Sequence, residues 1–253
     1  MKNPLYNEHA AEYAMVIKDN TFNANYERPS FLALLPDLNG KSVLDLGCGP
    51  GETIEYLLKE KCTKVTAVDI SKAMIDIVKK RYRSKVNVYK QNLNMGLPKE
   101  KESTYDLVGS SLTVHYIKNL NFLFKEVYRV LKKNGLFIFS THHPLLDFSY
   151  SKSGNYFKTE KLTQIWQTIG KPVEVSFYRR PLSSTFKALA DAGFHITNVS
   201  EGSATSKLKS ISTKDYKLLT NKPFFLFVKC RKISDRFRDF CISESQVRIK
   251  ASV

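Results

Sequence analysis

Val43-Leu44-Asp45-Leu46-Gly47-Cys48-Gly49-Pro50-Gly51 is a short apolar run carrying one acid, followed by glycine at every second position. That pattern describes a buried strand breaking into a tight turn. Beyond it, Ile54, Leu57, Leu58 and Cys62 fall on one helical stripe, so the unit reads as strand, glycine loop, helix. Glycine has no Cβ to hold a ligand away from the backbone, and bare N–H groups at a helix N-terminus are expected to face that ligand. Lys64 to Ile70 (KVTAVDI) is a second apolar strand ending in Asp69, 18 residues past Gly51. An acid at the tip of the next strand is placed to grip a ribose diol. The glycines do not follow the dinucleotide spacing G-x-G-x-x-G, since none follows Gly51 until Gly96, and no G-K-[ST] follows the loop, which removes a P-loop.

Outward from this unit the periodicities alternate. Ser71 is placed to cap a helix whose buried face carries Met74, Ile75, Val78 and Tyr82. Lys85 to Tyr89 reads as a third strand leading into the polar turn Gln91 to Asn94, and Tyr105 to Ser110 as a fourth. Asn119 caps a helix with Leu120, Leu123, Phe124, Val127 and Leu131 on one face, which Asn134-Gly135 is expected to end before a fifth strand, Leu136 to Ser140. Ser184 to Ala192 returns to helix with Gly193 as its stop, and Phe194 to Val199 and Phe224 to Val228 read as the last two strands. The expected fold is α/β: a doubly wound, Rossmann-like, seven-stranded, mostly parallel sheet with helices on both faces. Ligands in such sheets bind outside the carboxyl ends of the strands, here Asp45 to Gly51, Asp69, Asn92, Ser110 to His115 and Thr141 to Pro144.

Residues 1–231 are read as one domain, with 232–253 as a tail without periodicity. Residues 1–40 contain short helices over Ala10 to Lys18 and Phe31 to Leu35 and several tyrosines; they either pack against the sheet or close over the site as a lid. Residues 145–180 lose regular patterning but are rich in aromatics, which suits an aromatic cap over the substrate. The 253 residues carry a formal charge of +16, which suggests nucleic acid or an acidic partner. The charge is spread along the chain, however, and even residues 201–253, with 12 Lys or Arg against 5 Asp or Glu, show no compact basic block with aromatics. A nucleic-acid partner is therefore not favoured over a small-molecule substrate. No run of 18 apolar residues and no apolar leader occur, so the expectation is no membrane partner and a cytoplasmic protein. Cys48, Cys62, Cys230 and Cys241 contain no C-x-x-C pair and are read as free thiols.

VLDLGCGPG, the VDIS turn, YDLVGSSLTVHYI and EVYRVLKKNGLFIFSTHHP together resemble the class I S-adenosylmethionine-dependent methyltransferases of the small-molecule type. NYF at 155–157, FYRRPL at 177–182 and ALADAGFHI at 188–196 look like a bacterial subgroup of unassigned substrate. The resemblance implies S-adenosylmethionine as cofactor and S-adenosylhomocysteine as product. It places the methionine moiety on the Gly47 to Gly51 backbone with Asp45 and Cys48 beside it, the ribose on Asp69, and Ile70, Met74, Asn92, Leu93 and Ser110 around the rest. Many members have an acid where Asn92 stands, so weaker charge assistance at the adenine is expected rather than lost binding. A methyl acceptor with a proton to lose needs a base, and His142, His115 and His143 all fall at strand ends facing the cleft. Pro144 holds His143 extended, so the adjacent rings of His142 and His143 should point to opposite sides. Tyr26, Tyr178 and Arg179 are candidate substrate contacts; Arg179 would suit a carboxylate or phosphate, or else is half of a solvated pair with Arg180. No metal site is expected.

Overall fold

The structure, a computed structural model, describes residues 3–233. Its N-terminal segment carries α1 (Pro4–Asn7), α2 (Ala10–Val16), a π turn (Asn23–Glu27) and α3 (Arg28–Leu32). The alternating unit follows: β1 (Ser42–Leu46), α4 (Glu52–Lys59), β2 (Lys64–Asp69), α5 (Lys72–Tyr82), β3 (Asn87–Lys90), β4 (Tyr105–Ser110), α6 (Leu120–Val130) and β5 (Leu131–His142). After β5 come α7 (Pro144–Phe148), β6 (Glu160–Trp166), β7 (Val173–Arg179), α8 (Leu182–Ala192), β8 (Phe194–Ser200), α9 (Ser206–Ile211), α10 (Thr213–Asn221) and β9 (Phe225–Lys232). The tail read from the sequence at 232–253 lies outside the described residues except for its first two positions.

The seven-stranded sheet has the order β3-β2-β1-β4-β5-β9-β8; β9 alone runs antiparallel to its neighbours β5 and β8. β1 sits between β2 and β4 and is buried along its whole length, which explains the apolar Val43, Leu44 and Leu46 around its one acid, Asp45. One face is covered by α6 and α8, through Leu123, Phe124, Val127, Ala188 and Leu189. The other is covered by α3, α4, α5, α9 and α10, through Phe31, Ile54, Ile75, Val78, Leu208 and Leu219. Two caps are those the sequence points to: the Ser71 hydroxyl accepts from Met74 N–H, and the Asn119 side chain accepts from Phe122 N–H.

Three elements differ from the sequence reading. α6 ends at Val130 rather than at Asn134-Gly135, because β5 already pairs with β4 at Leu131 and Asn134 takes a left-handed φ of 63° within it. Residues 145–180 are not irregular: β6 and β7 form a separate antiparallel hairpin, with Leu162, Val175 and Phe177 buried under it. Residues 201–223, left without elements by the sequence, contain α9 and α10.

Candidate functional site

The carboxyl ends of β1 to β5 open into one cavity of about 710 Å³. Its floor is the loop after β1, and its side is formed by Asp69 and Ile70 after β2, Asn92 and Leu93 after β3, Ser111 to Ile117 after β4, and His142 at the end of β5. The N-terminal segment crosses the opening. The Asn3 side-chain amide donates to Ser176 O at 3.1 Å while its Oδ1 accepts from Ser176 N–H at 3.0 Å, and the hydroxyls of Tyr6 and Tyr116 meet at 2.7 Å. Tyr6 and Tyr13 consequently line the same space as the glycine loop, and burial drives both phenols well above their ordinary pKa.

The loop's own N–H groups do not face the cavity as expected. Gly47 and Cys48 N–H both donate to Val68 O, Gly49 N–H to Asp69 Oδ2 and Gly51 N–H to Cys48 O, while Pro50 has none. What the glycines provide is space. A Cβ on Gly49 would meet nothing within 4 Å, so the cavity comes up to the backbone there. At Gly47, by contrast, φ is 72° and a Cβ would stand 2.1 Å from Thr113 Oγ1. Gly51 turns the chain into α4 at φ 92°, with its carbonyl accepting from the Tyr82 hydroxyl, and does not line the cavity. A paired prediction follows from this contrast. Gly47→Ala should lower stability by about 1–3 kcal/mol through strain and clash. Gly49→Ala should cost about 1 kcal/mol for its left-handed φ yet abolish ligand binding. Thermal melts with and without S-adenosylhomocysteine separate the two; equal loss of ligand response in both variants would contradict the assignment.

The polar atoms offered instead are carboxylate oxygens. Asp45 is buried in the central strand, its Oδ2 has no partner, and its carboxyl is pushed up to about 7 by burial, then by the neighbouring Asp69 and Glu27. Asp69 accepts from Gly49 N–H at 3.0 Å and Ser71 N–H at 2.8 Å; burial raises its pKa and these bonds partly offset the rise. Glu27, from the π turn, accepts from the hydroxyls of Ser111 at 2.8 Å and Ser140 at 2.5 Å, and burial raises it too. Among the described residues the cavity lining holds five carboxylates (Glu27, Asp45, Glu52, Asp69, Asp147) against one basic side chain that is always charged, Arg28, whose guanidinium donates to Ile17 and Lys18 carbonyls. On a chain of net charge +16 this is a locally acidic chamber. It suits a ligand carrying positive charge and does not suit a phosphate.

S-adenosylmethionine, with a sulfonium and an ammonium, meets this donor set: an orphaned buried carboxylate beside a glycine with open space, and an acid at the tip of β2. Ile70, Met74, Cys48 and Leu93 supply apolar lining around it. Asn92 is exposed at the rim and its amide oxygen already accepts from Asn94 N–H at 3.1 Å. Ser110 lies one residue short of the cavity, its hydroxyl donating to Leu46 O between β4 and β1; Ser111 is the residue that lines it.

At the other end of the cavity stand the histidines. The rings of His115 and His142 stack at 3.9 Å between centroids and 19° between planes. His115 is held neutral: burial, then His142 and Arg180, push its pKa well down, and its Nε2 has no partner. His142 Nδ1 lies 3.4 Å from Asp147 Oδ2, within ion-pair reach but misaligned for a hydrogen bond. His143 points away, as alternation requires. Its Nδ1 caps α7 by accepting from Leu145 N–H, and its Nε2 lies 3.1 Å from Glu201. The candidate substrate contacts also stand elsewhere. Tyr26 is buried between Phe225 and Phe227 with its hydroxyl donating to Glu201 O, and its neighbour Glu27 faces the cavity in its place. Tyr178 stacks under the Arg180 guanidinium. Arg179 is fully buried, donating to the carbonyls of Asn155, Tyr156 and Lys158 and to Glu160 at 2.7 Å. It lies two residues beyond Phe177, whose ring packs edge-on to His142 at 4.8 Å, and with Arg180 it borders a small hollow behind His115, His142 and Asp147; it stands next to the cavity without lining it.

Gln164 and Asp147, not singled out from sequence, line the cavity, as does Trp166, one of the aromatics of the 145–180 cap segment. The signal was present for two of them: Leu162, Gln164 and Trp166 alternate with Lys161, Thr163 and Ile165 ahead of the turn residues Gly170 to Pro172.

Comparison with known proteins adds three findings. Residues 44–139 match the family described as a methyltransferase domain. An uncharacterized Haemophilus influenzae protein is 29% identical over 236 residues, covering 84% of this chain and 89% of that one, and a malonyl-[acyl-carrier protein] O-methyltransferase of Salmonella typhimurium is 33% identical over 135 residues, 52% of each. Among solved structures, a Listeria monocytogenes protein assigned as an S-adenosylmethionine-dependent methyltransferase superposes with a TM-score of 0.71 at 28% identity, covering 82% of this chain and 97% of that one. An S-adenosylmethionine-dependent methyltransferase from Mesorhizobium loti gives 0.67 at 25%, covering 81% and 97%.

Proposed function

Because this chain belongs to the class I S-adenosylmethionine-dependent methyltransferases, we propose that its acceptor is a small molecule bound beside His142 under the N-terminal segment. The observation that supports a small acceptor is the cover over the chamber: Asn3, at the start of α1, is hydrogen-bonded to Ser176 of β7, and Tyr6 of α1 to Tyr116. No helix among the described residues is long and apolar enough to cross a membrane. A polynucleotide acceptor is opposed by the acidic lining, since phosphates would approach Glu27, Asp69 and Asp147 with no lysine among the described residues that line the cavity.

In this reading Asp45 takes the ammonium of the methionine end, Asp69 the ribose hydroxyls, and Ile70, Met74 and Leu93 pack around the remainder, with Asn92 at the adenine edge. The cofactor supplies an activated methyl on a sulfonium. The chain orients the acceptor in line with that methyl, excludes water with Tyr6, Tyr13 and the β6–β7 turn, and removes a proton through His142, which Asp147 orients. Residues 1–40 are then a cover over the site and 145–180 the wall of the acceptor chamber. Incubation with labelled cofactor and extracted metabolites should yield a labelled small product; label appearing only in RNA or protein would overturn the reading.

The Asp45 carboxyl links cofactor binding to pH. Its folded pKa of about 7 lies above the ordinary 3.8, so the free protein holds a proton there that the unfolded chain has lost. Stability from this group is present below about pH 4 and is lost as pH rises through about 7. An ammonium needs the ionised form, so affinity should rise about tenfold per pH unit below 7 and level off above it. Isothermal titration at pH 5.5, 6.5 and 8 reads this directly. Asp45→Asn should flatten the profile and weaken binding at pH 8 by about ten- to a hundredfold; an unchanged slope would remove Asp45 from the site.

A further inference from the structure

The walls around His142 limit the acceptor more closely than its size does. Trp166 lies 5.6 Å from the His142 ring and Phe225 6.3 Å, both tilted to its plane, and with the His115 ring stacked on His142 these aromatic side chains line the chamber. Into this aromatic wall is set one oriented amide. The Trp166 indole N–H can only donate, and it donates to Gln164 Oε1 at 3.0 Å. That contact fixes the amide and leaves Gln164 Nε2, a donor, buried without a partner. No lysine lines the cavity among the described residues. Arg28 is held to carbonyls of the N-terminal segment; Arg179 and Arg180 border a small hollow behind His115, His142 and Asp147, where Arg179 donates to the carbonyls of residues 155, 156 and 158 and to Glu160, and Arg180 to the Ile117 and Lys118 carbonyls. Asp147 is the charged group nearest His142.

We infer that the acceptor is an uncharged aromatic hydroxyl compound, its ring against Trp166 and Phe225 and its oxygen functions between Gln164 Nε2 and His142, and that carboxylate and phosphate acceptors are rejected. This rests on the methyltransferase reading above. Unpaired donors favour oxygen over an ammonium, which has no lone pair to offer Gln164. An anion would bring a second negative charge beside Asp147, and the arginines behind the histidines, Arg179 and Arg180, are already engaged by backbone carbonyls and, for Arg179, by Glu160. In the transfer, the hydroxyl oxygen forms its bond to the methyl carbon as that carbon's bond to sulfur breaks, the bonding pair stays on sulfur, and the hydroxyl proton passes to His142. The product is an aryl methyl ether. This departs from the malonyl-[acyl-carrier protein] O-methyltransferases, named for a malonyl acceptor, of whose length the chain matches about half.

Three probes on one scaffold test the inference: 2-naphthol, 2-naphthoate and 2-naphthyl phosphate, titrated into protein saturated with S-adenosylhomocysteine, then offered with the methyl-bearing cofactor. 2-Naphthol should bind at least about tenfold tighter than either anion and yield its methyl ether. Gln164→Leu should weaken 2-naphthol at least about fivefold while S-adenosylhomocysteine binding, which reports an intact fold, is unchanged. Naphthoate binding as tightly as naphthol, formation of a methyl ester, or no naphthyl probe binding to cofactor-loaded protein would each overturn the acceptor class and leave the methyltransferase reading standing. Failure of the cofactor itself to bind would remove that reading and this inference with it.

Discussion

Asp69→Ala should abolish measurable cofactor binding, a loss of at least about a hundredfold, since two charge-assisted hydrogen bonds and the proposed ribose contact go together. The carboxylate does two things at once. Its oxygens brace the glycine loop through Gly49 N–H and the β2–α5 turn through Ser71 N–H, and the same group lines the cavity. Removing it frees the Gly49 N–H inside a buried site and lets the loop relax out of the shape in which Gly49 offers clearance. Asp69→Asn is nearly as damaging by this logic. Its single acceptor oxygen serves one N–H, and its NH₂ then faces the other, donor against donor. In a thermal shift with ligand at 100 times the wild-type Kd, wild type gains about 2.7 kcal/mol and Asp69→Ala about 0.4 or less. A variant folded as wild type and binding within about threefold of it would show that Asp69 is not part of the cofactor site.

The parts of the fold legible in the sequence are those set by contacts within one or two turns of chain. Ser71 and Asn119 announce themselves as caps because the hydroxyl or amide reaches an N–H three residues on, and Gly193 as a stop because only a φ near 95° ends α8 there. The strand-loop-helix at 43–59 is equally local; it carries Asp45 and Gly49, and the parallel pairing of β2 beside β1 brings Asp69 to the same point. What the sequence could not place depends on distance in the chain. Whether Tyr26 or Glu27 faces the cavity turns on the π turn at 23–27, which rotates the chain out of helical register. Arg179 looked like an anion contact because its charge was visible and its partners, the carbonyls of residues 155, 156 and 158, were not. The glycine loop shows the same limit most sharply. Its N–H groups looked free in one dimension, but Val68 and Asp69 of the neighbouring strand accept from them.

His142→Gln should lower kcat by about a hundred- to ten-thousandfold with the acceptor recovered from the metabolite screen, while cofactor affinity stays unchanged. Three histidines stood at strand ends in the sequence, and the structure separates them by what their ring nitrogens touch. His143 is taken up by Leu145 N–H on one side and Glu201 on the other, so His143→Gln should cost stability at α7 and leave kcat within about threefold. His115 is neutral and buried, with its Nδ1 beside the Thr141 hydroxyl at 3.3 Å, and stacks on His142; in the proposed transfer it does not take the proton. Only His142 lies at the cavity with a carboxylate at hand. An imidazolium formed there is stabilised by Asp147, so Asp147→Asn should lower kcat by about tenfold with KM for the cofactor unaltered. The pH profile distinguishes a base from a packing residue. Without His142 the acceptor must lose its proton to solvent, so the variant's rate should climb about tenfold per pH unit toward the acceptor's own pKa, closing on wild type at high pH. A packing role predicts a deficit of constant size at every pH, and that outcome would take the proton transfer away from His142.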